Sequence, residues 1–308
     1  MTLARLRIGT FTPSLLIDLA RSTGRLALAD LDVTEVPVPS SPAQFRSLEA
    51  GEFDVVMTSP DNVLAYRFLG SNPLGHNLPV EILAGIDRGL GLSLCLAPSI
   101  HDVADVRGRV VGVDVPQSGF AFVAFALLER VGLGPDDYEV ASLGSTPRRA
   151  EALTAGTCAA TVLNAGNELR AGASGCRVTS TVADIGPYLG TVMAALPADD
   201  ATAVDARNRL AEAVIDTAGD IVAGGLQREV LEAAGRLLGL ADPEARAHLE
   251  CLLDRTHGLI TDGRVDEASI NTLIELRRRH SPSPDLDVVA AEWPTMVTPD
   301  ALGTSTRP

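Results

Sequence analysis

Up to residue 196, short apolar runs alternate with amphipathic stretches of helical period, a pattern that predicts strand–helix–strand units. Strands are expected over residues 3–9, 31–38, 53–57, 80–86, 90–97, 109–113, 138–143, 161–163, 177–182 and 188–196. Helices are expected over 13–22, opening after Thr12, over 42–50, from Thr58-Ser59-Pro60 onward, and over 117–131, 147–155 and 167–171. The stretch FAFVAFALL is apolar nearly all round, so the helix over 117–131 is expected to be buried. From 203 to 280 the period is helical, in four amphipathic segments broken at Gly224-Gly225, Asp242-Pro243 and Asp262-Gly263. The last 20 or so residues, rich in Pro, Thr and Asp, read as a loosely held tail.

The pattern repeats. Residues 47–62 read SLEAGEFDVVMTSPDN and residues 152–167 read ALTAGTCAATVLNAGN, 105 positions later. Gly9-x-x-x-Pro13 returns as Gly112-x-x-x-Pro116 at an offset of 103. Such a period is too long for a solenoid unit and predicts two α/β lobes of related build. Lobe one is expected to comprise residues 1–88 plus 186–308, lobe two residues 89–185. Crossings near 86–91 and 185–190 would form a hinge that closes over a ligand. Polar turns at the carboxyl ends of parallel strands then face the cleft, where open α/β sheets bind small molecules.

Composition narrows the chemistry. With 40 acidic against 25 basic residues the net charge is −15, which excludes a broad nucleic-acid footprint and disfavours anionic membranes. All 25 basic residues are arginine. A lysine Schiff base and a Walker A loop are therefore excluded. Cys95, Cys158, Cys176 and Cys251 form no C-x-x-C pair, so no metal or other cofactor is expected. No apolar run approaches the roughly 18 residues of a membrane helix. The start MTLARLRIGTF enters a strand at once, without the apolar core of a signal peptide. As written the chain is expected to be cytoplasmic, and extracytoplasmic if a leader has been removed.

The order of motifs carries a resemblance: RLRIG at residues 5–9, LEAGEFDVVMTSPDN, the crossing GIDRGLGLSLCLAP, the segment DVADVRGRVVGVDVPQSGFAF, and GLITDGRVDEASINTLIELRRRH. Over residues 3–280 it resembles the type II periplasmic-binding-protein fold, narrowly the nitrate/sulfonate/taurine and thiamine-pyrimidine-precursor branch of ABC-transporter substrate-binding proteins. The resemblance implies a two-lobed α/β clamshell with its C-terminal helices packed on lobe one. It implies a small, anionic metabolite bound between the lobes and, if the chain is exported, an ABC permease as partner. The same fold hosts cofactor-independent cytoplasmic enzymes, so a lyase, decarboxylase or dehydratase acting on a small carboxylate is the alternative.

The candidate residues follow the strand ends. Thr10, Phe11, Thr12 and Ser14 suit an anion, although Thr12 also serves as a helix cap. Ser59 and Asp61 end the first copy of the repeat and Asn164 the second, with capping as the competing use. Asp114, Ser118 and Gly119 open the helix over 117–131: its free N–H groups and dipole attract an anion, Gly119 admits close approach, and Asp114 contacts the ligand or fixes the turn. Arg148 and Arg149 either neutralise the anion or form surface ion pairs. Tyr188 walls the cleft or packs in the core. In the enzyme reading His76, in the loop 70–79, carries the proton.

Overall fold

The computed structural model describes residues 3–303, in which every predicted strand is matched. They are β1 (Ala4–Thr10), β2 (Leu31–Pro37), β3 (Val55–Thr58), β4 (Glu81–Asp87), β5 (Ser93–Leu96), β6 (Val110–Val113), β7 (Glu139–Ser142), β8 (Ala160–Leu163), β9 (Arg177–Thr181) and β10 (Thr191–Ala195). They form two sheets of five strands, in the orders β2-β1-β3-β10-β4 and β7-β6-β8-β5-β9. Each order is the other's image, with β1, β2, β3, β10 and β4 matching β6, β7, β8, β5 and β9. In each sheet the fourth strand is the antiparallel one, and it is the strand that has just arrived from the other lobe. The chain changes sheet between Asp87 and Ser93 and again between Thr181 and Thr191.

The repeat has a packing cause. A methyl group on Gly9 would sit 2.7 Å from the Phe53 ring, and one on Gly112 would sit 2.7 Å from Leu143 and 3.2 Å from Cys158 Sγ. Phe53 and Cys158 are themselves 105 positions apart. In both lobes, then, the residue entering the third strand lies on the bare Cα of the first, and only glycine allows that approach.

Helices cover both faces of the first sheet. On one side Leu6, Ile8, Val55 and Met57 pack with Leu210 and Val214 of helix Ala201–Val222 and with Val230 of helix Gln227–Leu238. On the other, Val56 packs with Phe45 and Leu64. The C-terminal third forms the four expected helices, the last two being Asp242–Leu253 and Glu267–His280. These two also reach the second lobe, against helices Asn167–Ala173 and Gly119–Arg130 respectively, which the expectation of packing on lobe one alone omits. The tail expectation is corrected as well. Up to Gly303 the chain is packed, through helices Leu286–Glu292 and Pro299–Leu302 and the buried side chains of Trp293, Met296 and Val297. Polar composition hid these spaced apolar anchors. Residues 304–308 lie outside the described residues. Among the described residues no helix is long and apolar enough to cross a membrane.

The crossings meet at Asp87. Its carboxylate accepts the N–H groups of Gly89 (2.9 Å) and Leu90 (3.0 Å) on the outgoing strand. On the returning one the Gly190 N–H donates to the Asp87 backbone carbonyl at 2.9 Å, while burial raises the carboxyl pKa. A methyl on Gly190 would collide with Asp87 Oδ1 and lie 2.6 Å from Gly89 N. Gly190→Ala is therefore expected to destabilise the protein by about 1–3 kcal/mol. Gly219→Ala, in helix Ala201–Val222 with nothing near its Cα, should be stabilising by roughly 0.5–1 kcal/mol. Urea denaturation of the two variants checks the contrast, and equal stabilities would refute the hinge constraint.

Candidate functional site

Four turns follow the four matched strands β1, β3, β6 and β8, and all four border one cavity of about 140 Å³ between the sheets. That volume suits a molecule about the size of benzene. Thr10, Phe11, Thr12 and Ser14 come from the first turn, Ser59 from the second, Asp114, Ser118 and Gly119 from the third, and Asn164 from the fourth. Ser118 caps helix Gly119–Arg130 by accepting the Ala121 N–H at 3.2 Å. The next donors of that helix end, Gly119 and Phe120, are both cavity residues.

The turns are held from behind. Glu35 Oε1 accepts the Thr10 hydroxyl and the Ser14 N–H, each at 2.7 Å, and its own pKa is raised by burial. Gln44, fully buried, donates from Nε2 to Gly9 O (3.0 Å) and Met57 O (2.9 Å), joining the ends of β1 and β3. The equivalent position in lobe two, 105 residues on, is Arg149, which donates to Val162 O at 3.2 Å just as Gln44 does to Met57 O. Arg149 further donates to Gly144 O (2.6 Å) and Thr146 Oγ1 (3.2 Å). It is 2% exposed and borders the cavity. Burial pulls its pKa down to about 10, partly offset by the nearby charge of Asp114. Thus the repeat places a neutral amide at one lobe's strand end and a guanidinium at the other's. A surface ion pair, one of the two uses expected for Arg149, is excluded by its burial.

Several candidates have other partners. Asp114 borders the cavity, but its Oδ2 accepts the Ser41 hydroxyl of the opposite lobe at 2.9 Å. Thr12 does not cap the first helix; Ser14 does, accepting the Ile17 N–H at 3.4 Å. The Thr12 hydroxyl instead accepts from Asn167 Nδ2 across the cleft, also at 3.4 Å. The Ser145 N–H donates to Pro39 O at 3.0 Å, a third bridge between the lobes.

Asp61 lies outside the cavity lining. It is fully buried and forms a two-pronged pair with Arg277, Nε to Oδ1 at 2.5 Å and Nη2 to Oδ2 at 2.8 Å. Arg277 also donates to Gln117 O of lobe two. The bare Cα of Gly119 is packed on Asp61, so its closeness serves the lobe contact as well as the cavity. Tyr188 is core: it is 1% exposed and packs at Gly89 beside the hinge. His76 is exposed, away from the cavity, with Nε2 at 2.6 Å from Glu49 Oε1, and this removes the proton carrier from the enzyme reading.

Sequence reasoning missed Asp87, Thr191 and the wall built by Leu238, His248, Leu252 and Leu259. For Arg149 the signal was present, as the offset of 105 that pairs it with Gln44. For the wall residues none was, because helices far along the chain contribute them.

Helix Asn167–Ala173, which begins at the fourth turn, buries Glu168 with neither carboxylate oxygen partnered among the described residues, and burial raises its pKa to about 8. The protonated form is the one the fold prefers, so its contribution is full below pH 4.5 and is lost as pH rises through 8. Glu168→Gln should melt several degrees above the native protein at pH 9 and level with it below pH 4.5, as scanning calorimetry across pH would show. Asp61→Asn should cost about 3–5 kcal/mol by stranding the buried Arg277. A loss under about 1 kcal/mol in denaturant titration would contradict the structural role given to Asp61.

No protein-family model matches the chain, and no curated protein matches it in sequence. Solved structures do. The alkanesulfonate-binding protein SsuA of Xanthomonas axonopodis pv. citri, bound to MOPS, aligns with a TM-score of 0.73 at 15% identity, over 97% of this chain and 99% of its own. The nitrate-binding protein NrtA of Synechocystis PCC 6803 gives 0.72 at 15% identity, over 98% and 87%. A Candida albicans gene product described as having the generic periplasmic binding protein fold gives 0.72 at 15% identity, over 96% of each chain. These neighbours are of the kind that the sequence motifs resemble, and the chain has the two-lobed periplasmic-binding-protein fold.

Proposed function

We propose that the protein reversibly binds a small anion between its lobes, as a substrate-binding protein does. The observation that carries this reading is Arg149. A guanidinium that is 2% exposed borders the cavity, and the hydrogen bonds it makes go to neutral oxygens. A buried cation lacking a carboxylate partner is costly, and an anionic ligand would offset that cost. The N-terminal end of helix Gly119–Arg130 adds donors and a favourable dipole. The solved neighbours named for alkanesulfonate and nitrate binding support the same chemistry. For such a protein a permease is the fitting partner.

The repeat supplies the test. Lobe one already folds with Gln44 at the matching position, so Arg149→Gln should keep the bond to Val162 O and the fold. Nitrate, acetate, ethanesulfonate and MOPS serve as probes in thermal-shift and titration calorimetry. At least one should bind the native protein, and Arg149→Gln should weaken it at least about a hundredfold, on the scale of a lost charge-assisted contact. Equal affinity in a folded variant would remove Arg149 from the site and with it the main support for an anion.

A further inference from the structure

We propose that His248 forms a second ligand contact, taking a hydroxyl group of the ligand. The proposal rests on the anion reading above and specifies the ligand class further. The cavity does not stop at the polar turns. It is also lined by Ile86, Leu90, Leu238, Leu252 and Leu259, and with them by the polar side chains of His248, Asp87 and Thr191. His248 is 2% exposed, and its Nδ1 has no hydrogen-bond partner among the described residues. The ring lies against the fourth turn: a methyl on Gly166 would be 3.7 Å from Nδ1, next to Asn164 and Ala165 of the cavity.

A buried polar nitrogen with no partner has lost its water without replacement, a loss that a ligand group could recover. Burial alone lowers the pKa of His248 to about 4, so the ring is neutral near pH 7. A neutral imidazole has one N–H donor and one lone-pair acceptor. A hydroxyl, also donor and acceptor, matches it. A charged ligand end would find only a neutral imidazole at His248 to pair with. The cavity size then points to an acid of three or four carbons with a terminal hydroxyl.

The test compares matched pairs: propionate with 3-hydroxypropionate, butyrate with 4-hydroxybutyrate, and ethanesulfonate with 2-hydroxyethanesulfonate, each titrated calorimetrically into the full chain. In at least one pair the hydroxylated acid should bind the native protein about tenfold tighter or more. His248→Leu should bring the two members of that pair within about twofold of each other. His248→Phe, closer to the ring in shape, carries the same expectation if the leucine variant is unfolded. Plain and hydroxylated acids binding the native protein equally would overturn the role of His248 and leave the anion reading intact. So would a preference that survives in either folded variant. If none of the six acids binds at millimolar concentration, this proposal falls, and the anion reading falls with it only when nitrate, acetate and MOPS also fail to bind.

Discussion

The two crossings between the lobes are held at one buried carboxylate. Asp87 accepts donors from both crossing strands, so the outgoing and returning chains are fixed to each other at the point where they leave their sheets. The bonds its carboxylate accepts from Gly89 and Leu90 help satisfy a group that would otherwise be costly to bury. Because the strands meet so closely, Gly190 has no room for a side chain. Asp87 also borders the cavity, which makes the floor of the site and the pivot of the fold one place. The parallel order of the two sheets then brings all four polar turns toward this point from opposite sides.

The electrostatics of the cleft follow from symmetry that is only approximate. Gln44 and Arg149 do the same structural task, tying the end of a strand to its neighbour, but only one of them is charged. Asp114, the carboxylate nearest in effect to Arg149, is turned to Ser41 of the other lobe. The lobes are thus drawn together by hydrogen bonds made by the same turns that would otherwise be free for a ligand. A turn residue such as Asp114 thus lines the cavity and holds the lobes together at once.

Much of this was written in local pattern. The strands, their pairing into two lobes and the four turns followed from hydrophobic period and from an offset that any reader of the sequence can find. Caps were harder: Thr12 and Ser14 are both competent, and the geometry of the turn, fixed by Glu35 from β2, decided for Ser14. Asp61 could not be read at all, since its partner Arg277 lies 216 residues away and nothing local distinguishes a paired aspartate from a free one. His248 was hidden for the same reason, a helical residue whose surroundings are assembled from distant leucines. The closing segment misled in the opposite direction, its polar residues outnumbering the few buried side chains that hold it.

Helix Glu267–His280 has a mechanical meaning. Arg277 binds Asp61 of the first lobe and Gln117 of the second. Beyond it Arg279 pairs with Glu129, and His280 stacks on Phe122. The lobes are therefore pinned twice, at Asp87 and at Arg277. A rotation about the line through these two points is the relative motion that would leave both intact. The lobes also touch through Ser41 with Asp114, Thr12 with Asn167, and Pro39 with Ser145, contacts that any opening of the cleft would have to release.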